Sequence, residues 1–349
     1  MSFKTISGAT PLRGMVVGAG DLGPHWGFEL HDSADVEFAA WVDLVPERAA
    51  RAAAELGAGT VAIGDDVGTM LDAVRPDFLV NVSPPGAHHA VTTAALERGV
   101  HVLSEKPMAA TLAQAVDMIA VADRTERLLM VSQNRRYYPG LIAFRDTVAQ
   151  LGRLSNLTCQ FFIAHRDGAA EFLFGFPEPL LLDMAIHLFD GARAITGADP
   201  VSVYCESSNP PWSWYAGDAA ADAIFTMTGG LRFTFTGNWA GDGFRTSWTG
   251  TWRATGERGS AIWEDEGAPL VSPARGERVE AVAPAELDRG PERFPGLEFS
   301  LAEFVDALRT GRIPAGECHD NLRSLAMCHA AVESARTGRR VAVERNLVA

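Results

Sequence analysis

The sequence predicts an α/β protein: an N-terminal doubly wound parallel sheet of the Rossmann type, followed by a C-terminal α+β domain with a large, mainly antiparallel open sheet. Three observations carry this. Between Gly14 and Ser132, short apolar runs alternate with helical segments, the rhythm of a parallel sheet covered by helices on both faces. Met15-Val16-Val17 runs directly into Gly18-Ala19-Gly20-Asp21-Leu22-Gly23, a strand entering a helix through closely spaced glycines. Beyond Tyr138-Pro139 the rhythm changes to longer, alternating runs joined by short glycine-containing turns such as Thr228-Gly229-Gly230, which reads as antiparallel.

Six strands are expected in the first domain: Met15–Val17, Val36–Val42, Val61–Ile63, Phe78–Val82, Val100–Leu103 and Leu128–Val131. In the second, a helix over Leu141–Leu151 precedes strands at Asn156–Ala164, Val201–Glu206, Ala223–Met227, Leu231–Trp239, Thr249–Ala254 and Ser260–Glu264. Gly267–Pro295 is rich in Pro, Gly and charge and reads as irregular, and helix returns at Phe299–Leu308 and Asn321–Thr337. The division is 1–134 and 135–349. Because the second sheet carries Phe, Trp and Val, one face is expected under helices and the other exposed and apolar, suited to self-association.

The glycine spacing is that of a dinucleotide site. Gly18 permits a tight turn, Gly20 lets the backbone approach a pyrophosphate, and Gly23 lets the helix lie close to the strand. The helix start, with Asp21, Leu22 and then Pro24, offers N–H groups and a positive dipole end to phosphate. Asp43 ends the second strand, where a carboxylate accepts from ribose hydroxyls and repels a 2′-phosphate. NAD is therefore favoured over NADP, although Arg48 lies one turn further on. Asp43 as a mere cap of the next helix is the bland alternative.

Composition narrows the partners. The chain has 349 residues, enough for two domains, with 47% hydrophobic and 21% charged residues, ordinary for a globular protein. A net charge of −14 disfavours nucleic acid and anionic membrane. No signal-like start and no long apolar run is present, so a cytoplasmic location is expected. Cys159, Cys205, Cys318 and Cys328 form no CxxC pair, which implies reduced thiols. Cys318-His319 and Cys328-His329 invite a metal reading, but they sit in or beside a helical pattern where buried cysteine usually packs, and no metal is expected.

In a doubly wound sheet, ligands lie beyond the carboxyl ends of the strands. After the fourth strand come Ser83, Pro84 and His88; after the fifth, Ser104-Glu105-Lys106-Pro107. Lys106, fixed by a proline at the cofactor edge, is read as functional rather than as a surface lysine paired with Glu105. In Leu181–Asp190, a helix puts Asp183, His187 and Asp190 at i, i+4 and i+7 on one polar stripe. Histidine can take a hydroxyl proton, and a carboxylate one turn away can orient it or hold substrate; the alternative is a core histidine satisfied by its aspartate.

Together, the glycine run, Glu105-Lys106-Pro107, Asn134-Arg135-Arg136-Tyr137-Tyr138-Pro139 and Asp183 to His187 with Asp190 resemble the glucose-fructose oxidoreductase, inositol dehydrogenase and MocA (Gfo/Idh/MocA) family over nearly the whole chain. The resemblance implies an inter-domain cleft where Lys106, Asp183 and His187 meet substrate, and homodimers or homotetramers formed through the open sheet. It implies a dehydrogenase moving hydride between a secondary hydroxyl of a sugar, sugar derivative or cyclitol and the nicotinamide ring. Lys106 and His187 remain alternative bases, or share a relay. Asn134 and Arg135 are candidate nicotinamide or substrate contacts. Two departures touch the substrate pocket: Phe176-Pro177-Glu178-Pro179 replaces a glycine-rich approach, and Ala185 stands where glycine is common. Redox-neutral glycoside cleavage and a nonenzymatic NAD-responsive regulator are the rival functions.

Six of the eight tryptophans follow residue 200. Trp239, Trp248, Trp252 and Trp263 are expected in the core; Trp212 and Trp214 are expected to line substrate or an oligomer contact.

Overall fold

Runs of buried Val, Leu and aromatic residues build the first sheet. In the computed structural model, which describes residues 2–166, 171–264, 267–286 and 293–344, the chain divides into two units. One comprises Met1–Asn134 with Arg289–Leu322, the other Arg135–Asp288 with Arg323–Leu347. Where the sequence places all of 135–349 in the second domain, Arg289–Leu322 clusters with the first unit.

The first unit runs β1 (Leu12–Val17), α1 (Gly23–Asp32), β2 (Val36–Val42), α2 (Pro46–Glu55), β3 (Ala62–Gly64), α3 (Val67–Val74), β4 (Phe78–Asn81), α4 (His88–Glu97), β5 (His101–Glu105), α5 (Leu112–Thr125) and β6 (Leu129–Ser132). The sheet order is β3-β2-β1-β4-β5-β6, and every pair is parallel. The order reverses between β1 and β4, the place where such sheets bind ligands. Residues of β4, β5 and β6 are buried on both faces, which explains their continuous apolar runs.

The second unit runs α6 (Pro139–Val148), β7 (Leu154–Phe162), α7 (Glu171–Phe174), α8 (Ala185–Thr196), β8 (Pro200–Ser208), β9 (Ala220–Met227), β10 (Arg232–Asn238), β11 (Thr251–Gly256), β12 (Gly259–Trp263) and β13 (Leu270–Pro273). The remaining elements are α9 (Leu297–Thr310), in the first unit, α10 (Cys318–Thr337) and β14 (Val341–Ala342). The second sheet has the order β13-β12-β11-β7-β10-β9-β8-β14. All its pairs are antiparallel except β10 with β7. β13 lies inside the stretch read from sequence as irregular, whose residues 287–292 lie outside the described residues.

Alternation sorts this sheet into two faces. Phe225, Phe233 and Phe235 point inward against Phe189 of α8, with ring centroids 4.9, 6.1 and 5.4 Å away. Outward stand Thr158, Asp222, Thr234 and Thr236, in register with one another across β7, β10 and β9, with Ile224 among them. The expectation of an exposed apolar face is therefore corrected: that face is largely polar.

An ion-pair network fixes α8. Arg136 grips Asp190 with two bonds, Nε to Oδ2 and Nη2 to Oδ1, both 2.7 Å. Ser324 of α10 donates to Asp190 Oδ1 at 2.7 Å, and Arg193 reaches Ser324 and Asp199. Asp190 is only 2% exposed. Removing one partner of so buried a pair strands the other charge. Asp190→Ala should lower the unfolding free energy by about 3 to 5 kcal/mol in urea denaturation; a loss under about 1 kcal/mol would contradict this assignment.

Candidate active site

Backbone contacts lock the glycine turn at the sheet's reversal point. Gly18 has φ +110°, and a Cβ there would lie 2.5 Å from the Val82 carbonyl oxygen, so β1 and β4 meet too closely for any side chain. At Gly23 a Cβ would stand 2.6 Å from the Gly18 oxygen, which sets α1 against the turn; Trp41 Nε1 donates to that same oxygen at 3.0 Å. Gly20 differs, since a Cβ there would meet nothing within 4 Å. The chain leaves room at that position for a phosphate to approach the backbone, and the residues present fit a dinucleotide. Asp21 is exposed beside it and Leu22 precedes α1 without a side-chain cap.

Asp43 leans onto this turn. Its Oδ2 accepts from the Ala19 amide at 2.7 Å and its Oδ1 from the Val45 amide at 2.9 Å. The residue before α2 is Val45, with no side-chain cap, so Asp43 braces the glycine turn rather than capping a helix. Each oxygen keeps a lone pair for a further donor.

Beyond β4, Asn81 Oδ1 accepts from the Ser83 hydroxyl at 2.6 Å, and Pro84 is exposed. His88 lies underneath: its ring nitrogens face the carbonyl oxygens of Pro107 and Ser83, each at 2.7 Å. Burial pushes the His88 pKa down against the opposing pull of those carbonyls. It ties together the loops after β4 and β5. Glu105, 7% exposed, accepts from Trp26 Nε1 at 2.8 Å and from the Lys106 amide at 3.1 Å. It joins α1 to the end of β5 and leaves Lys106, half-buried, at the strand's carboxyl edge. Asn134 donates one amide N–H to Pro295 O at 2.9 Å.

In the second unit Pro179–Met184 forms a π-helical turn that passes into α8 at Ala185. Such turns recur at functional sites. Asp183 lies in the π segment and His187 in the α-helix, so the uniform i, i+4, i+7 stripe expected from sequence is broken. Asp190 leaves the candidate substrate set, because Arg136 and Ser324 already hold its carboxylate. His187 is 8% exposed and Asp183 half-buried.

The charge of Asp183 acts on Arg135, His165 and Tyr215. Burial pulls Arg135 down to about 10 while Tyr138, Cys159 and Asp183 oppose it; the guanidinium stays charged at neutral pH and donates to Trp248 O. Burial lowers His165, again against Asp183. Burial first, with Asp183 adding, pushes Tyr215 up to about 12. His165 stacks on Trp239 with centroids 5.3 Å apart and meets Trp248 edge-on at 5.1 Å. Its carbonyl accepts from Trp214 Nε1 at 3.1 Å and from the Tyr215 hydroxyl at 2.7 Å. Trp214 is thereby pinned to this cluster, while Trp212 is 67% exposed. Trp248, expected in the core, is 46% exposed; Trp239, Trp252 and Trp263 are buried. Sequence reading missed His165, Tyr215 and the placement of Trp248. The available signal was their place in the connections that follow β7, β8 and β10.

Comparison with known proteins adds two family models. The model described as "Oxidoreductase family, NAD-binding Rossmann fold" matches residues 12–133, and the "GFO/IDH/MocA C-terminal domain" matches residues 148–262. The inositol 2-dehydrogenase of Streptomyces avermitilis is 29% identical over 94% of this chain and 93% of its own length. The 1,5-anhydro-D-fructose reductase of Ensifer adhaerens is 27% identical over 95% of this chain and 98% of its own. An oxidoreductase from Agrobacterium radiobacter, solved in complex with NAD+, L-tartaric acid and magnesium, shares the fold with a TM-score of 0.86 at 20% identity, covering 96% of this chain and 99% of that one.

Glu178, just before the π turn, is pushed from an ordinary value of 4.5 up to about 7 by burial and then by Asp218. The fold thus favours its neutral form. That contribution is complete below about pH 4.5 and is lost as pH rises through about 7. Glu178→Gln should match wild type in thermal unfolding near pH 4.5 and melt a few degrees higher near pH 8. Parallel melting curves across that range would contradict the shift.

Proposed function

Because the chain belongs to the Gfo/Idh/MocA oxidoreductases, its two family models together spanning about two thirds of its length, we propose that it transfers hydride between a secondary hydroxyl of a sugar, sugar derivative or cyclitol and the nicotinamide ring. The observation that carries this reading is the gathering of Arg135, His165 and Tyr215 within reach of the Asp183 charge, with His165 and Tyr215 stacked on Trp239, and Trp248 edge-on to His165. Carboxylate, guanidinium and imidazole suit several hydroxyls, and indole faces suit the C–H side of a sugar ring. The names of the relatives, an inositol dehydrogenase and an anhydrosugar reductase, support the same class.

NAD, when bound, supplies the hydride acceptor. On the chain's side, His187 takes the hydroxyl proton and Lys106 holds the substrate oxygen, stabilising its developing negative charge. Asp183 orients His187 and a neighbouring hydroxyl. Asp43 favours NAD over NADP by its charge near the glycine turn.

A panel of monosaccharides, inositols and anhydrosugars, followed by nicotinamide absorbance with NAD+ and NADP+, identifies the substrate. With that substrate, His187→Ala and Lys106→Ala should each lower kcat by about 10²- to 10⁴-fold, with NAD+ affinity nearly unchanged. Wild-type turnover in either variant would remove that residue from the mechanism.

A further inference from the structure

Cys318, His319 and Glu317 stand at the start of α10, in the first unit, and the reaction proposed above makes no use of them. Glu317 is 5% exposed and Cys318 fully buried. Their donor atoms converge: Cys318 Sγ lies 2.9 Å from Glu317 Oε1, His319 Nδ1 lies 2.8 Å from the same oxygen, and Sγ is 3.5 Å from Nδ1. We propose that Glu317, Cys318 and His319 bind a zinc-class divalent cation through Oε1, Sγ and Nδ1.

The donor set is a thiolate, an imidazole and a carboxylate, the ligands that zinc takes. Tetrahedral bonds of about 2.3 Å to sulfur and about 2.0 Å to nitrogen separate those two atoms by about 3.5 Å, the spacing found here. The carboxylate oxygen stands closer, and it must swing outward by about half an ångström, since tetrahedral zinc holds oxygen about 3.3 to 3.5 Å from its other ligands. Torsions of one glutamate side chain accommodate that movement.

The surroundings match a metal's outer shell. His319 Nε2 faces Asp123 Oδ2 of α5 at 3.3 Å, the carboxylate–histidine arrangement that turns the other ring nitrogen toward a metal. With the proton on Nε2, the Nδ1 lone pair points at a carboxylate oxygen 2.8 Å away, a repulsive contact unless a proton or a cation lies between. The His319 amide holds the second oxygen, Oε2, at 3.1 Å. Glu317 is further anchored by bridging Met130 of β6. His319 is one-third exposed, so a water completes the fourth position. Cation binding replaces the proton that Cys318 gives to Glu317, and that proton leaves to solvent. The cation then links the start of α10, β6 and, through Asp123, α5.

The test is metal analysis of the untagged full chain after exposure to Zn2+, with Co2+ titration as the spectroscopic probe. Wild type should retain one Zn2+ per chain and develop a thiolate-to-cobalt charge-transfer band. Cys318→Ser should lose the band and retain less than about a tenth of the zinc, Asp123→Ala should bind about 10- to 100-fold more weakly, and Cys328→Ser should behave as wild type. A folded wild-type chain that retains no zinc and gives no band overturns the proposal, whether or not the variants fold. So does a Cys318→Ser chain that keeps both.

Discussion

The close approach of two backbones governs the first unit. Gly18 stands so near the Val82 carbonyl that no Cβ fits between them, and this contact brings the ends of β1 and β4 together where the strand order reverses. Trp41 and the Gly23 backbone then close on the Gly18 carbonyl, and Asp43 holds the Ala19 amide. Contacts from β4, β2 and α1 thereby fix one turn, and of its three glycines the one left open, Gly20, is where an incoming phosphate needs the backbone bare. Glu105 extends the same bracing to Lys106, because its carboxylate ties α1 to the last peptide of β5. Position at the strand edge, rather than any feature of the lysine alone, makes it a candidate for chemistry.

The second unit solves a different problem, which is to hold polar groups within an aromatic setting. Phe189 and the inward phenylalanines of β9 and β10 bind α8 to the sheet, while Arg136, Ser324 and Asp190 settle its buried charge. Rigidity bought in this way leaves Asp183, in the π turn just before α8, beside Arg135, His165 and Tyr215. The π turn carries Asp183, and the regular helix that follows carries His187 and Asp190.

Much of this is legible in sequence because it is local. The glycine run, the strand ahead of it and Asp43 at the end of β2 can be read in order along the chain, and each is a short-range requirement of backbone geometry. Asp190 was misread because its partner Arg136 lies far along the sequence, and spacing on one helix carries no information about a cation arriving from elsewhere. The π turn escaped for the related reason that Pro179–Met184 has ordinary helical composition. Residue type alone places Trp248 in the core, and the structure leaves it exposed. The polar outer face of the second sheet was, by contrast, readable: Thr158, Asp222, Thr234 and Thr236 alternate with the aromatics, and the aromatic content drew more weight than the alternation. Cys318 and His319 are adjacent in sequence, but the Glu317 carboxylate and Asp123 become meaningful only through their convergence in space.

If the glycine turn cradles a dinucleotide, Gly20 reveals it apart from folding. Calorimetric titration of Gly20→Ala with NAD+, alongside its thermal unfolding, is the direct measurement. The melting temperature should stay unchanged, since a methyl there meets nothing in the protein, while affinity should fall about tenfold or more because the methyl takes the phosphate's place. Wild-type NAD+ affinity in that variant would contradict it.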